Sequence, residues 1–319
     1  MTKYYGGIDL GGTFIKAGLL SENGDIIHNF AFPSRVEQGI PALKESLRVV
    51  ARKLVEESEL RGAALAGIGV GSPGTIIFPD GIVTGATPNI PGWVGTNISG
   101  IFSDFPFPVV ADNDANCMGL AEATFGAGKG TKNGFYLTLG TGVGGAMFVN
   151  GAIVRGASFC AGEFGHMVLV YNGDTCKTGR KGCLEQYVAA GALCRSAMQL
   201  AGKYPDSALS SQPGELDVVD IFDAFKRGDQ AAVEAVSANA DMVGVAIGSV
   251  VNLLNPEIVV IGGGMSQAGE KYIGLIRKSV FSFAFESTTS ILKVEAAKFG
   301  NDAGWIGAAC LNIGSRPLP

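Results

Sequence analysis

The sequence predicts an α/β protein built from two similar halves, and three observations carry that expectation. The stretches "YYGGIDLGGTFIKAGLL" (4–20) and "NGFYLTLGTGVGGAMFV" (133–149) share one design: apolar run, glycine turn, apolar run. Each half then alternates short apolar runs with longer segments of helical spacing, as strand–helix units do. Several of the short runs end in glycine or small polar residues, as in "GIGVGSPG", "VVADND" and "IVVIGGG". In open α/β sheets ligands bind beyond such strand ends.

Taken in order, "YYGGIDL" and "FIKAGLL" form a hairpin around Gly11-Gly12, and "GDIIHNFAF" adds a third strand. Ile40, Leu43, Leu47, Val50 and Leu54 then fall on one face of a helix, with Lys44, Glu45, Arg48 and Lys53 between them. "LAGIGVG" is a buried strand ending in "SPG". "FPVVADND" is a strand running into the helix "ANCMGLAEATFGAG", closed by Gly126 and Gly128. The second half restarts with Leu137, Thr138 and Leu139, turns at Gly140-Thr141-Gly142 and returns through Ala146 to Val149. The repeated design predicts an internal duplication. Asp229 caps a long helix that reaches Leu254, where Pro256 forbids continuation. "EIVVIGGGMS" is a buried strand followed by a helix, and "GWIGAACLNI" a short helix folding back onto the first domain.

Bulk properties narrow the functional classes. The 319 residues are 47% hydrophobic and 17% charged, enough for a sizeable core. A net charge of −5 without a basic block argues against a nucleic-acid partner, because phosphate backbones call for a basic face. Six irregularly spaced cysteines do not resemble a secreted disulfide framework, and no signal peptide precedes the first strand. The longest apolar stretch, "MVGVAIGSVVNLL" (242–254), is shorter than a bilayer span. The expectation is a cytoplasmic protein with no membrane partner.

Four constellations carry chemistry. "DLGGTFIK" offers backbone amides at a glycine turn, Thr13 and Lys16 as side-chain donors, and Asp9 for a magnesium-bound water. "LGTGVGG" offers a second such turn, so two walls around one polyphosphate are expected. No Walker GxxxxGK[ST] pattern is present. "ADNDAN" places Asp112, Asn113, Asp114 and Asn116 at a strand-to-helix junction. That is more than a helix cap requires, and a carboxylate there can take a proton from a hydroxyl. "GEFGHM" and "GCLE" add Glu163, His166 and Glu185; His166 is one of only two histidines.

In this order "DLGGTFIK", "GSPG", "PNIPGW", "DNDAN", "LGTGVGG", "GEFGHM" and "GCLE" resemble the ROK family of sugar kinases and repressors, from about residue 4 to 310. The resemblance implies an actin-like ATPase (ribonuclease H-like) fold of two α/β domains with a cleft between them. Residues 1–118 plus about 303–319 would form the small domain and 119–302 the large one. It implies ATP-dependent phosphorylation of a hexose at its C6 hydroxyl, with Mg²⁺, most simply as a glucokinase. Kinases of N-acetylglucosamine or N-acetylmannosamine and a non-catalytic sugar-sensing regulator are the alternatives, and polyphosphate is an alternative donor. A repressor would carry a helix-turn-helix domain ahead of Asp9. By resemblance, Asp9, Gly11, Gly12, Thr13 and Lys16 hold phosphate, as do Gly140, Thr141, Gly142 and Gly144. Gly262, Gly263 and Gly264 lie under the adenosine. Asp114 is the general base; Asn89, Asn113, Glu163, His166 and Glu185 hold sugar hydroxyls; Gly71 and Gly74 let backbone approach the sugar. Closure over the sugar would exclude water, and a homodimer is implied.

The family's zinc loop reads CxCGxxGCxE after a histidine. Here "CKTGRKGCLE" keeps Cys176 and Cys183 but has Thr178 where the middle cysteine belongs. A neutral hydroxyl is a poorer zinc ligand than a thiolate. Two readings stay open: His166, Cys176 and Cys183 hold zinc with a fourth ligand of another kind, or the loop is metal-free and shaped by its glycines. Either way its role is structural, holding His166 and Glu185 against the sugar.

Overall fold

The computed structural model describes residues 2–85, 87, 89–210 and 216–313. The first part of the chain forms β1 (Lys3–Leu10), β2 (Phe14–Ser21), β3 (Ile26–Pro33), α1 (Ile40–Glu59), β4 (Ala64–Ser72), the short pair β5 (Ile76–Ile77) and β6 (Ile82–Val83), β7 (Val109–Asn113) and α2 (Asp114–Thr124). Then come β8 (Gly134–Leu139), β9 (Val143–Val149), β10 (Ala152–Ile153), α3 (Glu185–Val188), α4 (Ala190–Ala201), α5 (Val218–Arg227) and α6 (Gln230–Leu254). The chain ends through β11 (Ile258–Gly262), α7 (Glu270–Phe283), α8 (Glu286–Thr289), β12 (Lys293–Ala296) and α9 (Ala303–Ile313).

Two compact units result. One holds the chain up to Lys132, the segment Ala146–Gly162 and the chain from Asn301; the other holds Asn133–Gly145 and Glu163–Gly300. The first unit therefore keeps all of α2 and gains 146–162, whereas the sequence placed the boundary at 118. One sheet runs β3-β2-β1-β4-β7 and the other β10-β9-β8-β11-β12. In the first, β1, β2 and β3 pair antiparallel, and β4 and β7 add in parallel. In the second, β11 runs parallel to β8 and β12 parallel to β11. The shared strand order is the duplication that the two glycine turns announce.

Within the first unit, α1 buries Leu43, Leu47, Val50 and Leu54, the stripe expected from their spacing. The terminal α9 packs on α2, β1 and β4. Glycine makes this approach possible. A methyl group at Gly7 would overlap the carbonyl oxygen of Trp305, one at Gly69 that of Ala308, and one at Gly307 that of Cys117. Within the second unit, Asp229 caps α6 by accepting a hydrogen bond from the Ala232 amide, and Asn255 ends it in a left-handed conformation. By length and composition α6 is apolar enough to cross a membrane, yet more than half of its apolar window is buried. It packs against α4, α5 and α7, the environment of a core helix.

Candidate active site

In the first unit, Asp9 is the last residue but one of β1, and its cross-strand partner on β2 is Lys16. The turn is closed by the Gly11 amide donating to the Phe14 carbonyl at 3.1 Å, and Ser34 Oγ donates to the Gly12 carbonyl at 2.7 Å. Gly12 and Thr13 are exposed, so their amides are available to a ligand. Asn89 is exposed beside the same turn: a methyl at Gly12 would lie 3.7 Å from its carbonyl oxygen. Lys16 Nζ donates to the Asn301 carbonyl at 3.0 Å. Burial, and then the negative charge of Asp114, push the Asp9 carboxyl up to about 7, against the pull of Lys16. A methyl at Gly304 of α9 would stand 2.5 Å from Asp9 Oδ2, so only glycine leaves that carboxylate its room.

Asp114 is the first residue of α2, where the helix N-terminus stabilises negative charge. Its Oδ1 accepts the Ala115 amide at 2.9 Å. The N-cap is Asn113, whose Oδ1 accepts the amides of Ala115 and Asn116, while its Nδ2 donates to the Gly74 carbonyl at 3.0 Å. Both ends of that side-chain amide are thus engaged in shaping the junction. Gly71 is buried, with Cys117 Sγ 3.2 Å from the place its methyl would take, which gives it a packing reason for being glycine. Gly74 has φ +94°, a left-handed value that favours glycine.

In the second unit, the turn between β8 and β9 exposes Thr141 and Gly142. The Gly140 amide donates to the Gly142 carbonyl at 3.0 Å, and the Gly144 amide donates to Thr138 Oγ1 at 3.1 Å. Glu185 Oε2 accepts the Val143 amide at 2.9 Å. The residue expected at the sugar therefore also braces the second glycine turn. Gly262 ends β11, Gly263 follows with φ +84°, and the space a methyl would take at Gly264 is open. His166 Nε2 lies 3.8 Å from Glu163 Oε2, and its Nδ1 is buried without a hydrogen-bond partner.

A ring nitrogen of His166 and the sulfurs of Cys176 and Cys183 lie within 4.8 Å of one another. The two sulfurs are 3.0 Å apart, and Thr178 Oγ1 lies 3.0 Å from Cys176 Sγ. The neighbouring Cys183 thiol and the Thr178 hydroxyl hold the Cys176 thiol down at about 6, below its ordinary value. Burial pushes Cys183 up. An unpartnered imidazole nitrogen beside two thiols and a hydroxyl is a donor set that fits zinc.

Two residues outside the expected set support these motifs, one in each unit. Thr138 supports the second turn, and Arg155 pairs with Asp112 beneath the Asp114 junction. Thr138 stands next to a recognised motif, whereas Arg155 in "IVRGAS" carries no local signal beyond a lone cation among apolar and small residues.

A two-unit α/β fold with a repeated strand order and a glycine turn in each unit, together with a carboxylate at a strand-to-helix junction, is the architecture of sugar-kinase-like ATPases. The ROK family pattern matches residues 5–314, and the chain belongs to that family. It is 35% identical to a glucokinase of Thermotoga maritima over 96% of each chain. It is 30% identical to an N-acetyl-D-glucosamine kinase of Yersinia pseudotuberculosis, covering 98% of this chain and all of that one. Its structure is similar to that of a ROK family glucokinase from Streptomyces griseus in complex with glucose and AMPPNP, with a TM-score of 0.83 and 30% identity. That similarity covers 97% of this chain and 98% of the other.

Proposed function

We propose that the protein is an ATP-dependent hexose kinase that phosphorylates the C6 hydroxyl of glucose. The observation that carries this is the pairing, within one unit, of the Asp9–Lys16 phosphate hairpin with Asp114, close enough for one carboxylate to raise the other. Full-length similarity to glucokinases supports the sugar. In this reading Asp114 accepts the C6 hydroxyl proton as the oxygen bonds to the terminal phosphorus of ATP and the bond to the β-phosphate oxygen breaks. The turn amides at Gly11–Thr13 and Gly140–Gly142, with Lys16, hold the polyphosphate, and the glycines at 262–264 lie under the adenosine. Asn89, Asn113, Glu163, His166 and Glu185 orient the sugar hydroxyls. Asp9 fits a magnesium site, since its carboxylate is largely buried beside a second carboxylate, Asp114, and Lys16 offsets that only in part. Mg²⁺, when bound, supplies charge neutralisation on the phosphates.

ATP-coupled turnover across hexoses and N-acetylhexosamines tests the reading: glucose is expected to give the highest kcat/KM, and no turnover on any sugar refutes it. The second reading, an N-acetylhexosamine kinase, rests on the 30% relative and is selected if an N-acetylated sugar wins. A positioned base contributes roughly 10²- to 10⁴-fold, so Asp114→Ala is expected to abolish measurable turnover with the fold intact. A folded variant keeping more than about a tenth of the rate removes Asp114 from that role.

We also place structural zinc on His166, Cys176 and Cys183, with Thr178 near the fourth position. Zinc analysis of protein purified without added metal is expected to find it; a zinc-to-protein ratio near zero rejects this. The six cysteines are irregularly spaced, unlike a secreted disulfide framework, which supports a reducing, cytoplasmic location. A homodimer is the expected assembly, and light scattering on the purified protein measures it.

A further inference from the structure

Arg155 follows β10, in the segment that belongs to the first unit. Its Nε donates to Asp112 Oδ2 at 2.8 Å, and its Nη2 stands 2.7 Å from the same oxygen. The guanidinium carbon lies over the Phe78 ring, 3.8 Å from its centre, so the group is held by an aromatic face as well as by the carboxylate. The Asp112 side chain is 1% exposed and that of Arg155 19%. The other carboxylate oxygen, Oδ1, accepts the Asn113 amide at 2.8 Å and Asn116 Nδ2 at 2.9 Å. A carboxylate offers about four acceptor positions. Here the arginine takes two, and the residues on either side of Asp114 take the others.

A buried ion pair is weak evidence for stability, because apolar side chains of similar volume often serve as well. What this pair supplies is orientation. Asp112 grips the backbone just before Asp114 and the side chain two residues after it, and Arg155 fixes how Asp112 points. We propose that Arg155 is a positioning residue for phosphoryl transfer: acting through Asp112, it sets the strand-to-helix junction so that Asp114 meets the sugar hydroxyl. This rests on the assignment of Asp114 as the base.

The test is steady-state kinetics of the full chain with ATP and its best hexose. Arg155→Met keeps the length of the side chain and removes the fork. Because misplacing a reacting group by about 1 Å can cost on the order of 10²-fold, kcat is expected to fall about 10- to 100-fold. KM for sugar and ATP should stay within about threefold, since neither substrate touches Arg155 in this proposal. Adding Asp112→Asn to Arg155→Met removes the unpaired charge and keeps an acceptor for the Asn113 amide. The double variant is expected to regain at least about fivefold of the lost kcat.

A kcat within about twofold of wild type for Arg155→Met overturns the proposal, as does a loss expressed only in KM. A double variant no faster than Arg155→Met also overturns it, since the arginine would then act on something other than Asp112. If Arg155→Met proves insoluble, Arg155→Lys takes its place, because an ammonium cannot reproduce the fork. It should lose kcat severalfold at unchanged KM, and a wild-type kcat refutes the positioning role. Asp114→Ala run alongside separates the two ideas. If it is inactive while Arg155→Met is normal, only the positioning role fails; if it is active, the base assignment fails and takes that role with it.

Discussion

Asp9→Asn is expected to make the protein more stable and less active together. Burial first, and the charge of Asp114 second, push the Asp9 carboxyl from an ordinary 3.8 up to about 7. The unfolded chain gives up this proton near 3.8, whereas the folded chain holds it to about 7. Over that window the folded state binds more protons, so stability falls as pH rises and the full penalty applies above pH 7. About three pH units at roughly 1.36 kcal/mol each set a ceiling of about 4 kcal/mol. Solvent at the accessible side of Asp9 lowers this, and about 1–3 kcal/mol is the working figure. An amide of the same shape carries no charge to bury.

For domains of 150–250 residues, roughly 2–4 °C of melting temperature corresponds to each kcal/mol. Melting curves at pH 8 should therefore place Asp9→Asn several degrees above wild type, with the gap shrinking at pH 5 and closing near pH 4. Turnover at pH 8 should fall by about 10²-fold or more, because the group assigned to the magnesium site is gone. An Asp9→Asn variant that melts at or below wild type at pH 8 would refute the reasoning. A gap independent of pH would refute it too, because the penalty must follow the titration.

The remaining predictions concern packing and metal. Gly69→Ala puts a methyl into the Ala308 carbonyl, so α9 must shift; a loss of about 1–3 kcal/mol or more is expected in denaturant melts. Gly274→Ala in α7, whose nearest atom to the new methyl is 3.9 Å away, should instead gain about 0.4–1 kcal/mol. Thr178→Cys is expected to tighten zinc binding against a chromophoric chelator, and equal affinity would show that position 178 does not face the metal.

Much of the fold is written locally. The stripe of Leu43, Leu47, Val50 and Leu54, the Asp229 cap and the stop at Pro256 need only near neighbours in sequence, and both helices form as their patterns predict. The repeated glycine turns likewise foretell two sheets of one strand order. Long-range partnerships are a different matter. Nothing near Arg155 in sequence shows that it meets Asp112, 43 residues away, nor does "GCLE" show that Glu185 holds the Val143 amide. A charged residue's partner is set by the packing of whole elements, which residue periodicity does not encode.

The glycines show where a pattern is ambiguous in kind. Clustered glycine suits places where backbone turns tightly or meets a ligand, and Gly12, Gly140 and Gly264 fit that use. A methyl at Gly12 or Gly140 would meet nothing closer than 3.7 Å, and at Gly264 nothing within 4 Å. Gly7, Gly69 and Gly307 are glycine for the opposite reason, because helix backbone already fills the space. Gly7 stands two residues from Asp9 in the same motif, and the two kinds look alike in sequence. They also have one consequence in common. The closely packed glycines let α9 settle against β1 and β4, and that places Gly304 over the Asp9 carboxylate. The burial that pushes Asp9 upward is thus built partly by glycines that touch no ligand. A change in the α9 contact should therefore reach the β1–β2 hairpin through the titration of Asp9.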